Sequence, residues 1–123
     1  MSILNTELNS NLNDALTSYE ILKDTMLPEK STTSTVTVSD INQYKFIMVG
    51  IVPKGLTFNN YTTIIPVSMF KTYPLSASRT FSGYSGSSTV KATYVDDTTI
   101  TFAITQNNTY WGSDHRAILV LIK

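Results

Sequence analysis

Two stretches of the chain are apolar at consecutive positions rather than alternate ones. They are Tyr44-Lys45-Phe46-Ile47-Met48-Val49-Gly50-Ile51-Val52 and Ala117-Ile118-Leu119-Val120-Leu121-Ile122. A strand with one face on a core and the other in water alternates with period two. Continuous apolar strands are instead covered on both faces. A domain this small cannot cover two faces by itself. One face is therefore expected to fill the domain's own core, and the other to meet neighbouring subunits. The alternative is a small sandwich with a few exposed aliphatic side chains.

The rest of the second part of the chain alternates. Thr35-Val36-Thr37-Val38-Ser39 does so, as do Val90, Ala92 and Tyr94 against Lys91 and Thr93. Ile100, Phe102 and Ile104 alternate against Thr99, Thr101 and Thr105, and Asp96-Asp97 supplies the turn of a hairpin. In Ile64-Ile65-Pro66-Val67, Pro66 lacks a backbone N–H and restricts the segment to a sheet edge or a bulge. Residues 76–88 are rich in Ser and Gly and predict a short strand and a loop. Residues 106–116 predict a polar loop. The pattern predicts about seven or eight short strands over 36–123, an antiparallel β-sandwich or jelly-roll-like head.

The first part follows another period. Leu8, Leu12, Ala15, Tyr19, Leu22 and Met26 are separated by alternating steps of four and three, the spacing of a coiled-coil seam. This predicts one helix over 3–27, with Asn5 at a core position as a register device and Leu4 and Leu16 widening the seam. A wider seam suits more than two strands, so a homotrimer is expected, with those six residues as its oligomerisation contacts. The alternative is a helix packed on its own domain. Leu27-Pro28 ends the helix, because a residue before proline avoids helical backbone angles. The expected organisation is a coiled-coil stem at 1–28, a polar linker at 29–35 and a β head at 36–123.

Charge sharpens this division. The whole chain is neutral, with nine basic and nine acidic residues. Residues 1–35 hold five acids (Glu7, Asp14, Glu20, Asp24, Glu29) and two bases (Lys23, Lys30), a net of −3. Residues 36–123 hold four acids and seven bases, a net of +3. Overall neutrality argues against binding nucleic acid through phosphate neutralisation. Cysteine is absent, which excludes disulfides, thiol nucleophiles and thiolate metal sites. No apolar run approaches the ~20 residues of a membrane-spanning helix. The amino terminus lacks a basic region followed by an apolar one, so no secretory signal is expected.

A heptad helix, a polar linker and a small β head closed by an apolar strand resemble the trimeric receptor-binding heads of tail proteins from phages of Gram-positive bacteria. Four local phrases carry the likeness: Tyr44-Lys45-Phe46-Ile47, Ile64-Ile65-Pro66-Val67-Ser68-Met69-Phe70, Tyr94-Val95-Asp96-Asp97-Thr98-Thr99-Ile100-Thr101 and Arg116-Ala117-Ile118-Leu119. It covers roughly 36–123. The resemblance implies a homotrimer in a virion tail that binds host cell-wall saccharide, with other tail or baseplate proteins as further partners. Two alternatives are a purely structural tail or baseplate component and a trimeric jelly-roll module that binds a protein. No residue signature marks the saccharide site of such heads, so the site must come from the residues themselves.

Catalytic constellations are weak. His115 is the single histidine and Asp114 adjoins it, but two loop neighbours do not aim an imidazole at a serine. Ser85 in Gly83-Tyr84-Ser85-Gly86 lacks the Gly-x-Ser-x-Gly spacing of a nucleophile elbow. Asp96-Asp97 reads as a turn rather than a metal site. No enzyme activity, metal or cofactor is expected. Aromatic residues in polar loops are the better lead, because a ring can stack on a sugar while polar neighbours bond its hydroxyls. Tyr110, Trp111, Asp114 and His115 form one such group. Arg79 and Tyr84 join it if their loops meet.

Overall fold

The computed structural model describes residues 19–53, 61–81, 86–107 and 115–123. Among these the chain is mainly β. Eight strands are β1 (Tyr19–Met26), β2 (Thr32–Thr37), β3 (Phe46–Pro53), β4 (Thr62–Pro66), β5 (Leu75–Thr80), β6 (Ser87–Asp96), β7 (Thr99–Gln106) and β8 (His115–Ile122). A 3₁₀ turn at Ile41–Gln43 and a single helical turn, α1 (Val67–Phe70), are the helical elements. The strands form two antiparallel sheets, ordered β1-β8-β3-β4 and β2-β7-β6-β5.

Register explains both the core and its opposite face. In the first sheet β8 lies between β1 and β3, and pairs with β3 from Phe46↔Ile122 to Pro53↔His115. Ile47, Val49, Ile51, Ala117, Leu119 and Leu121 point to the second sheet and join its Val90, Ala92, Ile100, Phe102 and Ile104 in one buried cluster. The intervening residues Met48, Val52, Ile118, Val120 and Ile122 form a separate buried cluster on the other face. Around it stand Tyr19, Ile21, Phe46 and Ile64, all exposed and all in register with that face. Both faces of β3 and β8 are thus apolar, as their composition requires. The hairpin β6–β7 with its Asp97–Thr98 turn, and β4 as an edge strand ending at Pro66, also follow the sequence pattern.

The amino-terminal expectation is corrected. Tyr19, Leu22 and Met26 lie on a strand, not on a helical seam; Leu8, Leu12 and Ala15 fall outside the described residues. β1 completes the free edge of β8 from Tyr19↔Ile122 to Met26↔Arg116. Its register shifts between Ile21 and Lys23, so Leu22 is an extra residue opposite β8. A bulge of this kind turns a period of two into an apparent step of three. Leu22 packs on the main core while Ile21 remains on the outer face. Thr32–Thr37, expected to begin as linker, is an edge strand on β7 from its first residue. Among the described residues the two sheets therefore already include Tyr19–Met26 and Thr32–Thr37, ahead of residue 36.

Gly50 marks the tightest approach within the outer face. It pairs with Thr62, and a Cβ there would overlap the Thr62 methyl and lie 3.2 Å from the Thr62 Cα. Gly50→Ala is expected to cost about 1–3 kcal/mol, the usual range for overpacking. Thr62→Ser in that background should restore part of the loss by removing the methyl. Urea denaturation of the parent and the two variants checks this; equal stability of Gly50→Ala and the parent would contradict the crowding.

Candidate functional site

The two ends of the paired sheets differ in chemistry. One end carries the β6–β7 turn, the 3₁₀ turn and α1. There the polar groups are satisfied. Asp40 caps the 3₁₀ turn by accepting from the Asn42 backbone N–H at 3.0 Å. The Asn42 amide donates to Asp40 at 3.0 Å and to Asp97 at 2.9 Å, and Lys71 donates to Asn42. The Tyr94 hydroxyl donates to Asp97 at 2.5 Å, while Lys71 pairs with Asp97 at 3.5 Å. Nearby, Tyr44 donates its hydroxyl to Glu20, which raises the Tyr44 pKa. This network ties the hairpin turn to the preceding segments and leaves few groups for a ligand.

At the other end, strands β3, β5 and β7 finish and β4, β6 and β8 begin. Successive rungs of the second sheet's core face are Leu75–Ala92–Phe102 and Ala77–Val90–Ile104. The next rung is Arg79–Ser88–Gln106, where the core turns from aliphatic to polar. Ser88 is fully buried and donates to the Gln106 side chain, whose amide donates to the Pro28 carbonyl at 2.9 Å. In the first sheet, His115 occupies the same level. Its carbonyl accepts from the Leu27 N–H at 3.1 Å, and it pairs with Pro53. Tyr61 is placed by its carbonyl, which accepts from the Ile51 N–H at 3.2 Å.

These side chains meet around Phe81. Its ring lies edge-on to His115 at 5.2 Å between centroids. The Arg79 guanidinium carbon sits 4.2 Å from the Tyr61 ring centroid and 5.3 Å from that of Phe81. Such cation–π contacts are worth about 0.5–2 kcal/mol, more as water is removed. The result is a cationic, aromatic mouth between the sheets, with Arg79 partly exposed.

Of the six residues expected at a ligand site, Arg79 and His115 are thus brought together, bridged by Phe81. His115 is the first residue of β8, not a loop residue. Arg116, also expected in the loop, is in β8 and pairs with Asp24. Tyr84, Tyr110, Trp111 and Asp114 fall outside the described residues. The bases of their two segments are adjacent, however. Ser88 pairs with Gln106, and the Asn107 N–H donates to the Ser87 carbonyl at 3.0 Å. Sequence reasoning missed Tyr61 as a partner of Arg79. The available signal was an aromatic residue beside Asn59-Asn60 at a strand start.

A second concavity of about 250 Å³ runs between β1 and the second sheet, lined by Lys23, Thr25, Met26, Thr32, Ser34 and Phe102. Its polar lining is two threonines, a serine and one lysine, and the ring in its wall, Phe102, is buried in the core. The mouth at Arg79 is the stronger candidate.

The satisfied end has a pH signature. Asp96 is held below the usual carboxylate range, first by the Thr98 backbone N–H. Asp97 is lowered first by the Tyr94 hydroxyl and next by Asn42. A carboxyl with a depressed folded-state pKa stabilises the fold above the unfolded value of about 4, and that contribution is lost as pH falls through the folded value. Thermal melts should therefore show an acid loss below about pH 4 that Asp97→Asn makes shallower. Parallel acid limbs in parent and variant would refute this origin.

No protein-family model, curated protein or solved structure matches the chain.

Proposed function

We propose that this protein is a homotrimeric β-sandwich head that binds saccharide on a host cell surface, as part of the tail of a phage or prophage. The observation that carries the reading is the convergence at one end of the sheets. Arg79, Tyr61, Phe81 and His115 meet there, and the segments holding Tyr84 and Tyr110-Trp111-Asp114 are rooted on paired strand ends. Loops fixed to a rigid scaffold are where binding residues concentrate. Rings, a guanidinium and an imidazole suit sugar faces and hydroxyls, and the reading includes no catalytic step, metal or cofactor. A shallow sugar site of this kind has a Kd of ~1 mM, about −4 kcal/mol. Three copies on one particle raise avidity by roughly 10²–10⁴ without new contacts.

Support for self-association comes from the outer face of the first sheet. Tyr19, Ile21, Phe46 and Ile64 surround the Met48–Val120 cluster and present large apolar groups to water. The five residues of the cluster are buried within the chain, and it is the exposed apolar rim around them that supports a contact site. Any helical stem is limited to the residues before Tyr19, where Leu8, Leu12 and Ala15 keep the seam spacing. The sheet face would then hold the subunits together alongside any such stem. The same face favours a second reading, a purely structural tail or baseplate subunit.

Light scattering after gel filtration should return three times the 13.7 kDa chain mass. A monomer at micromolar concentration would sink the trimer. Ile64→Asp should dissociate it while leaving the melting transition cooperative, because Ile64 is 52% exposed and outside the core.

For the site, Trp111→Ala should abolish adhesion to purified cell wall or to a glycan array while the protein stays assembled. Undiminished adhesion would remove Trp111 from the site. An assembled parent protein that binds no glycan would favour the structural reading.

A further inference from the structure

Arg79 occupies an unusual place for a cation. On β5 it follows Leu75 and Ala77 on the core-facing side, both buried. A guanidinium carries five N–H donors and no acceptor. Tyr61 and Phe81 hold its plane and offset its charge, but a ring face does not replace an oxygen acceptor. The Arg79 Nε is shielded from solvent and has no hydrogen-bond partner. Among the described residues no carboxylate accepts from the Arg79 Nε, and Asp40, Asp96 and Asp97 lie at the opposite end of the sheets. Asp24 pairs with Arg116 and Asp97 with Lys71. Asp40 and Asp96 each accept backbone N–H groups of their own turns.

A buried N–H without an acceptor is unfavourable until one arrives. The strand register also keeps Arg79 from relaxing away. It pairs with Ser88, which is anchored through Gln106 to Pro28. The guanidinium is therefore positioned in advance, with bonding capacity unspent, at the mouth where the loops are rooted.

We infer that Arg79 binds an oxyanion, a carboxylate or phosphate group, so that the ligand of this site is an acidic saccharide rather than a neutral one. This rests on the saccharide reading and narrows it. The planar fork of a guanidinium matches either group through two parallel N–H···O bonds. From Tyr19, the first residue of β1, to the last residue the chain holds nine bases and seven acids, a net of +2 that favours approach of an anion. Stacking on Tyr61 and Phe81 keeps the fork in one orientation, which lowers the entropy lost on binding.

Sodium phosphate and sodium acetate, titrated separately at fixed ionic strength with sodium chloride as control, provide the first test. The Arg79 side-chain Nε–H signal and the Phe81 amide signal should shift saturably with at least one oxyanion, in a roughly millimolar range, and not with chloride. Absence of a saturable shift with both would overturn the inference, and this arm needs no variant. The second arm uses Arg79→Gln against an oligogalacturonate, a polyol phosphate oligomer and a neutral dextran oligomer. The variant should bind the acidic probe roughly 10–100-fold more weakly and the neutral one unchanged; which acidic probe responds distinguishes carboxylate from phosphate. Equal binding of neutral glycan by parent and variant, without any anion response, overturns the role of Arg79 and leaves the saccharide reading standing. Saturable anion binding with no glycan bound sustains the anion site and removes the saccharide.

Discussion

The pairing of β3 with β8 is the contact on which everything else rests. Both strands are eight residues long and register along their whole length. Their inward side chains close the core against the second sheet, and each buried Ile, Val or Leu contributes about 1.5–3 kcal/mol. Their outward side chains form the second apolar cluster. β8 also accepts β1 on its other edge, so the last strand of the chain sits inside its sheet between the first strand and the third. These pairings are distant in sequence, and closing such contacts slows folding more than it weakens the product.

That central pair also sets the difference between the two ends of the molecule. Where Phe46 meets Ile122 the neighbouring turns are short, and Asp40, Asn42, Lys71, Tyr94 and Asp97 satisfy one another. Where Pro53 meets His115, strands from both sheets begin and end together. The aliphatic rungs stop there, and Arg79, Ser88 and Gln106 take their place. A polar rung that closes on itself through Ser88 and Gln106 seals the core. Arg79, held by rings, is the member of that rung whose Nε–H has no acceptor.

The outer face follows from the same composition. A strand cannot be apolar on consecutive positions without presenting half of its side chains away from its own core. Both edge strands of the first sheet carry some defence against uncontrolled pairing: a bulge at Leu22 in β1 and Pro66 at the end of β4. The apolar face carries no comparable break: Asp24 and Arg116 are its charged groups among the paired positions, and they neutralise each other. In the assembly proposed above, this face beside defended edges favours face-to-face over edge-to-edge contact.

The sequence by itself determined the class of structure. Alternation around Asp96-Asp97 specified the β6–β7 hairpin, Pro66 specified an edge, and the runs at 46–52 and 117–122 specified strands with two apolar faces. It offered Arg79 and His115 as site residues together with Tyr84, Tyr110 and Trp111, which lie outside the described residues. It misled at Tyr19–Met26, because a bulged strand and a heptad helix share a step of three, and only the free edge of β8 decides between them. It misled at Thr32–Thr35, where a run of hydroxyl residues is equally a linker and an edge strand until β7 supplies the partner. The meeting of Arg79, Tyr61, Phe81 and His115 was the least legible feature. Those residues come from four separate segments, and only strand register, fixed by packing across the two sheets, brings them to one level.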